Sequence, residues 1–162
     1  MSVVITLGNA GNTATFSTVD TLTSGSGADT IVLTGTIANA SIDLGAGSDT
    51  LALGNGSNSA TVANTETITG GTGNDTVTLG TGFTTAMQID LGTGANNLTL
   101  AAGGNTGSVS NVNTLIGGSG ADAITLNTAL TGGSVDLGAG NDTLTFGNFT
   151  NTATVANTET IT

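Results

Sequence analysis

The chain has no Lys, Arg or His, no Cys, no Pro, no Tyr and no Trp, and only four Phe among 162 residues. Without a positive side chain, its 11 acidic groups leave a formal charge of −11 that no internal ion pair offsets. A fold of this charge needs bound cations, sparse burial of carboxylates, or both. Phosphate contacts are made by Lys and Arg, so the composition argues against nucleic acid as a partner. Anionic membrane surfaces are disfavoured for the same reason. The lack of Cys removes disulfides and thiol chemistry, and points to a stability that comes from repetition rather than cross-links. No apolar run approaches the ~18 residues needed to span a bilayer. Residues Met1–Leu7 (MSVVITL) lack the basic and long apolar regions of a signal peptide, so secretion would use a route without a cleaved N-terminal signal. With no His, Cys, Lys, Arg or Tyr there is no Ser-His triad, Schiff base or cationic clamp. A two-carboxylate glycosidase remains conceivable in chemistry, but its site should break the repeat, whereas the acids here follow it. The chain is expected not to be an enzyme.

What the chain has is glycine in register. Six turns read Gly25-Ser26-Gly27-Ala28-Asp29, Gly45-Ala46-Gly47-Ser48-Asp49, Gly71-Thr72-Gly73-Asn74-Asp75, Gly92-Thr93-Gly94-Ala95-Asn96, Gly118-Ser119-Gly120-Ala121-Asp122 and Gly138-Ala139-Gly140-Asn141-Asp142. Their fifth positions are 20, 26, 21, 26 and 20 residues apart. Short and long units therefore alternate in a double repeat of 46 or 47 residues. Each turn opens a strand in which apolar residues sit two apart, as in Asp29-Thr30-Ile31-Val32-Leu33 and Asp75-Thr76-Val77-Thr78-Leu79. Thr fills the outward positions, where β-branched side chains suit the pleat. Short units close on Ser41-Ile42-Asp43-Leu44, Gln88-Ile89-Asp90-Leu91 and Ser134-Val135-Asp136-Leu137, with the aspartate pointing out. Long units close on the decapeptide Ala60–Thr69, which returns unchanged at Ala153–Thr162. Ile37, Phe83 and Leu130 each follow the last Leu of a strand by four residues and read as one apolar column filling a corner.

Short strands at such spacing predict an all-β parallel β-solenoid (β-roll or β-helix), one unit per coil, with six full rungs and a partial one. Residues 1–162 form a single domain in this reading, with double repeats 24–69, 70–116 and 117–162 and a partial repeat 7–23. An antiparallel sandwich is the competing fold, but it has no need of identical residues at equivalent places. The pattern starts and stops in mid-repeat with no polar cap. Head-to-tail self-association into a filament is therefore expected, the alternative being a segment cut from a longer array.

Gly70-Gly71-Thr72-Gly73-Asn74-Asp75-Thr76-Val77-Thr78 and Gly117-Gly118-Ser119-Gly120-Ala121-Asp122-Ala123-Ile124-Thr125 are similar to the nonapeptide of the repeats-in-toxin (hemolysin-type) calcium-binding proteins. The departures are coils longer than the family's, Leu-Gly in place of Gly-Gly at Leu44, Leu91 and Leu137, and Asn96 in place of Asp. The resemblance implies a Ca²⁺-dependent solenoid outside a bacterial cell or on its surface. Carried over, the Ca²⁺ ligands are Asp29, Asp49, Asp75, Asp122 and Asp142, with carbonyls near Gly27, Gly47, Gly73, Gly120 and Gly140. The pairs Asp29/Asp49, Asp49/Asp75 and Asp122/Asp142 would form the strongest sites. A metal-free alternative has the same aspartates bonding turn amides, a role that Asn96 fills as well as Asp. Asp43, Asp90 and Asp136 read as a solvated outer column, and Asp20, Glu66 and Glu159, with Asn113 in the other copy, as turn or surface residues. The implied role is structural: a filament, matrix fibre, surface layer (S-layer), biofilm matrix or adhesin stalk. The alternative is a module that binds ice or glycans through outward Thr.

Overall fold

A computed structural model describes residues Met1–Thr162, and all of its regular structure is strand. Before the first full repeat come β1 (Val4–Thr6), β2 (Thr13–Phe16) and β3 (Thr21–Thr23). Residues 24–69 carry β4 (Thr30–Leu33), β5 (Ala40–Asp43), β6 (Thr50–Ala52), β7 (Ser59–Ala63) and β8 (Thr67–Thr69). Residues 70–116 carry β9 (Thr76–Leu79), β10 (Gln88–Asp90), β11 (Asn97–Thr99), β12 (Thr106–Ser110) and β13 (Thr114–Gly118, which runs two residues on). Residues 117–162 add β14 (Ala123–Leu126), β15 (Thr131–Gly138), β16 (Thr143–Phe146), β17 (Thr152–Ala156) and β18 (Thr160–Ile161). The odd strands stack in chain order as one nine-stranded sheet, sheet I, and the even strands as another, sheet II. Every pairing is parallel. The molecule is thus a β-solenoid of two-stranded coils and about eight turns, a rod about 40 Å long at the usual strand spacing.

Two features correct the reading of one unit per coil. Successive coils are offset by 17, 20 or 21 residues (Val4↔Thr21, Thr21↔Ser41, Thr76↔Asn97), never 26, so there are about eight turns rather than six and a fraction. Each double repeat also carries five strands, an odd number, and so makes two and a half turns. Equivalent residues of successive repeats therefore land on opposite sheets: β4 is in sheet II, β9 in sheet I and β14 in sheet II again.

The two sheets enclose one apolar core. On sheet II, Ala14, Ile31, Leu51, Ile68, Ile89, Val109, Leu126 and Phe146 stack in register. On sheet I, Ala60, Val77, Leu98, Leu115, Val135 and Val155 do the same. Burying a Leu or Ile side chain contributes about 1.5–3 kcal/mol, and each sits on a like neighbour, so the short strands cohere without length. Ile37, Phe83 and Leu130 are buried as expected, but not as one column: Ile37 and Leu130 lie on the sheet I side and Phe83 on the sheet II side, because successive repeats land on opposite sheets. Phe83 fills the slot left by Gly107, where a Cβ would lie 2.5 Å from the ring.

Candidate functional site: three carboxamide and carboxylate ladders

At most corners where a strand begins, one polar residue's side-chain oxygen accepts the backbone N–H of the same place one coil earlier, while at Ile37, Phe83 and Leu130 an apolar residue holds the place and only donates. The first ladder runs along sheet II. Asp29 Oδ1 accepts Asn12 N (2.6 Å), Asp49 Oδ1 accepts Asp29 N (2.7 Å) and Glu66 Oε2 accepts Asp49 N (2.7 Å). The second runs along sheet I. Asn58 accepts from Ile37 N, Asp75 from Asn58 N, Asn96 from Asp75 N and Asn113 from Asn96 N, at 2.9–3.1 Å. The third returns to sheet II. Asn105 accepts from Phe83 N, Asp122 from Asn105 N, Asp142 from Asp122 N and Glu159 from Asp142 N, at 2.7–3.0 Å. A fourth begins with Asn151 accepting from Leu130 N at 2.9 Å. The ladders change sheet because the repeat makes a half-integral number of turns.

These bonds meet the requirement that buried backbone donors be paired. Asp29, Asp49, Asn58, Asp75, Asn96, Asn105, Asp122 and Asp142 are all buried. Sequence reasoning recognised the aspartates and Asn96. It missed Asn12, Asn58, Asn105 and Asn151, whose turns end in Asn rather than Asp, and it read Asp20, Glu66, Asn113 and Glu159 as turn or surface residues. Asp20 accepts Val3 N at 2.6 Å, as Glu66, Asn113 and Glu159 accept their own ladder amides.

The structure pairs Asp29 with Asp49 and Asp122 with Asp142, but separates Asp49 from Asp75. Asp49 opens a strand of sheet II and Asp75 a strand of sheet I, so the expected Asp49/Asp75 site does not form. Asp75 stacks between Asn58 and Asn96 instead. The carbonyls of Gly27, Gly73 and Gly120 press on Gly47, Gly94 and Gly140 of the next coil, where any Cβ would strike them. Gly47 and Gly140 are thus the receiving glycines of two of these contacts.

Whether the residues fit a Ca²⁺ ion turns on three buried atoms. Oδ2 of Asp49, Asp75 and Asp142 has no hydrogen-bond partner. Asn96 holds the place equivalent to Asp49 and Asp142. There its Nδ2 donates to the carbonyls of Leu91 (3.1 Å), Gly92 (3.1 Å) and Asn111 (2.9 Å). The equivalent carbonyls are those of Leu44, Gly45 and Asn64 for Asp49, and of Leu137, Gly138 and Asn157 for Asp142. A carboxylate oxygen set where an amide donates needs a proton or a cation. Hard oxygen donors fit Ca²⁺ in kind. No three acidic side chains converge on one point, however, so such an ion would rest on at most two carboxylates, with carbonyls and water completing its shell.

Burial raises the Asp49 carboxyl above its usual range, and the charges of Glu66 and Asp29 add to that against the lowering bond from the Asp29 amide. Burial also raises Asp75 despite its bonds from Asn58. Burial pushes Asp29 upward too, but hydrogen bonds from Ser24 and Asn12 outweigh it and leave Asp29 below its usual value.

The outer column is bonded as well. Asp43, Asp90 and Asp136 Oδ1 accept the N–H of Gly45, Gly92 and Gly138 and the side-chain amides of Asn64, Asn111 and Asn157. Those three Asn lie at φ of 49–57°, the left-handed region in which Asn is tolerated.

No family model matches the chain, and no curated protein or solved structure matches it. The resemblance to the hemolysin-type nonapeptide rests on the motif alone.

Proposed function

We propose that this chain is an extracellular structural element, a cation-stabilised rod of the kind that builds a filament, matrix fibre or surface layer or serves as an adhesin stalk. The observation that carries this reading is the run of side-chain ladders along the whole rod. Their hydrogen bonds lock each coil to the next and present no cluster of unlike reactive groups. In the two acidic ladders, Asp29, Asp49 and Glu66, and Asp122, Asp142 and Glu159, stack one coil apart with no positive side chain to offset them. Ca²⁺ at Asp49 and Asp142 would offset that charge and satisfy their orphaned oxygens.

Deleting residues 70–116 tests the rod. The variant should fold, turn the final repeat onto the opposite sheet, and measure about 12 Å shorter by small-angle scattering, which is two and a half strand spacings. An unfolded or globular variant would show that the repeats are not interchangeable units of length.

A second reading, a binding module, is favoured by one hydroxyl-rich column on sheet II: Thr13, Thr30, Thr50, Thr67, Gln88, Ser108, Thr125 and Thr145. The neighbouring column reads Thr15, Val32, Ala52, Thr69, Asp90 and Ser110. That irregularity removes the two-dimensional regularity an ice-binding face requires, and thermal hysteresis of the purified chain is expected to be absent.

A further inference from the structure

The middle repeat is one residue longer than the others, and the extra residue has a place. Phe83 to Ile89 spans one residue more than Ile37 to Ile42 or Leu130 to Val135. The lengthened segment overhangs the outer face of sheet II, and beneath it lies a groove of about 500 Å³ crossing β8, β10 and β12. A shallower groove of about 250 Å³ continues along the rod on the far side of Thr85, across β12, β14 and β16. Because alternate repeats face opposite sheets, no other repeat sets this loop against sheet II.

The lining is polar, and its hydrogen-bonding capacity is unspent. Thr67, Thr69, Thr85, Gln88, Ser108 and Asn127 line the larger groove, and none of these side chains makes a hydrogen bond within the protein. The outer Asp and Asn column, by contrast, spends its side chains on one another and on turn amides. Asp90 is the one carboxylate in the groove, and its Oδ1 is already taken by Gly92 N and Asn111 Nδ2. The groove therefore offers hydroxyl and amide groups, both donors and acceptors, with almost no charge. The −11 charge and absence of cations repel anions, so the ligand that matches is rich in hydroxyls and uncharged. Thr67, Gln88, Ser108, Thr125 and Thr145 continue in one column through both grooves, at one strand spacing per step. A linear ligand can lie along the rod axis and repeat its contacts.

We propose that this double groove is a binding site for a neutral, linear polysaccharide, reached by hydrogen bonds to Thr67, Gln88, Ser108 and Asn127 beneath the Thr81–Met87 loop. With no aromatic platform for a sugar ring, each residue of the glycan adds little, and affinity accrues along the column.

The test titrates cellohexaose, maltohexaose and anionic oligogalacturonate separately into the ¹⁵N-labelled full chain. Shifts confined to the amides of residues 67–69, 85–90, 107–108 and 125–127 with at least one neutral hexasaccharide, and none with oligogalacturonate, support the site. A paired Gln88→Ala, Ser108→Ala variant removes only outward side chains. It should keep the wild-type melting temperature and weaken binding at least ~tenfold, a change of about 1.4 kcal/mol. Failure of both neutral sugars at millimolar concentration would overturn the proposal. So would equal binding of oligogalacturonate, or unchanged affinity in the folded double variant. None of these outcomes bears on the structural rod, which is tested by repeat deletion.

Discussion

Asp49 and Asn96 stand at equivalent places in successive repeats, and only Asp49 is ionisable. Both accept the amide one coil below, at 2.7 and 2.9 Å, and both are buried. Asn96 spends its other end on three carbonyls, whereas Asp49 leaves Oδ2 without a partner. The middle ladder, with Asn58, Asn96 and Asn113 around a single Asp75, leaves only one buried oxygen without a partner, Asp75 Oδ2. The outer ladders carry a stack of three carboxylates each. Hydrogen-bond geometry cannot be why the outer ladders use Asp, because Asn supplies it with fewer costs. The difference sets any calcium or proton dependence at Asp49 and Asp142 in the outer repeats and at Asp75 alone in the middle one.

The comparison holds only if the turns are sterically alike. Gly45 and Gly92 have φ of 81° and 70°, and a Cβ on either would collide with a glycine carbonyl of the preceding coil, that of Gly25 or Gly71. Gly45→Ala and Gly92→Ala should each cost more than about 3 kcal/mol, the sum of a disfavoured backbone region and a backbone clash. Urea unfolding with and without EDTA measures both. A large inequality between them would mean that the acidic and amide turns differ in backbone, which would undo the comparison.

Exchanging the side chains comes next in size. In EDTA at neutral pH, Asn96→Asp should destabilise by about 1–3 kcal/mol, since it replaces three donated hydrogen bonds with a buried unpaired oxygen. Asp49→Asn should be neutral or stabilising by a similar amount. Ca²⁺ that binds only the folded chain adds ~2.7 kcal/mol per site at a hundredfold excess over Kd. The melting temperature of the parent chain should therefore rise with Ca²⁺, and that of the Asp49→Asn, Asp142→Asn variant should not. A calcium response surviving in this variant would place the ion elsewhere.

Acid should act on the two ladder types through different residues. Asp49 and Asp75 have raised values in the folded state, so each contributes stability below its unfolded value that is lost as pH climbs through the folded one. Asp29 is lowered and has the opposite sign: its contribution is present above the unfolded value and lost as pH falls through the folded one. The raised pair acts above the ordinary carboxylate range and Asp29 below it, so melting temperature in EDTA should fall as pH rises above about 4. Asp49→Asn should flatten that slope. A stability that rises steadily over the same range would show that these carboxyls are ionised and satisfied.

The strands, the core and the parallel stacking were legible because period-two apolar residues recur at fixed places. The coil length was not. Gly-x-Gly-x-Asp marks only two of the five strand starts in a repeat. The starts at Asn58 and Glu66 carry other signals, a Gly54-Asn55-Gly56-Ser57-Asn58 turn and a tight turn at Asn64-Thr65. Read together, Asn58 and Asp75 are 17 residues apart, as are Asp49 and Glu66, and that spacing is the signature of a coil. The ladder aspartates were legible as important residues, but their main role was not. An Asp serving a neighbour's amide and an Asp serving a cation need the same glycine turn, and only the positions of Oδ1 and Oδ2 separate them.

The outer column sets the smallest and most uniform effect. Asp43, Asp90 and Asp136 each cap a turn glycine, at 3.0, 2.9 and 3.1 Å, and hold a left-handed Asn, at 2.7, 2.6 and 2.7 Å. Asp90 and Asp136 are exposed and Asp43 is half-buried, so water replaces much of what a substitution removes. Changing each to Ala should cost about 0.5–1.5 kcal/mol, the net worth of ordinary intramolecular hydrogen bonds. The three costs should agree with one another, although two of the three lie in acidic repeats and Asp90 in the amide repeat. They should also be indifferent to Ca²⁺, since these carboxylates spend Oδ1 on N–H donors and are not the ones with orphaned oxygens. If Asp43→Ala and Asp136→Ala lost the calcium response while Asp90→Ala did not, the ion would have to sit on the outer face. The contrast between Asp49 and Asn96 would then owe nothing to metal.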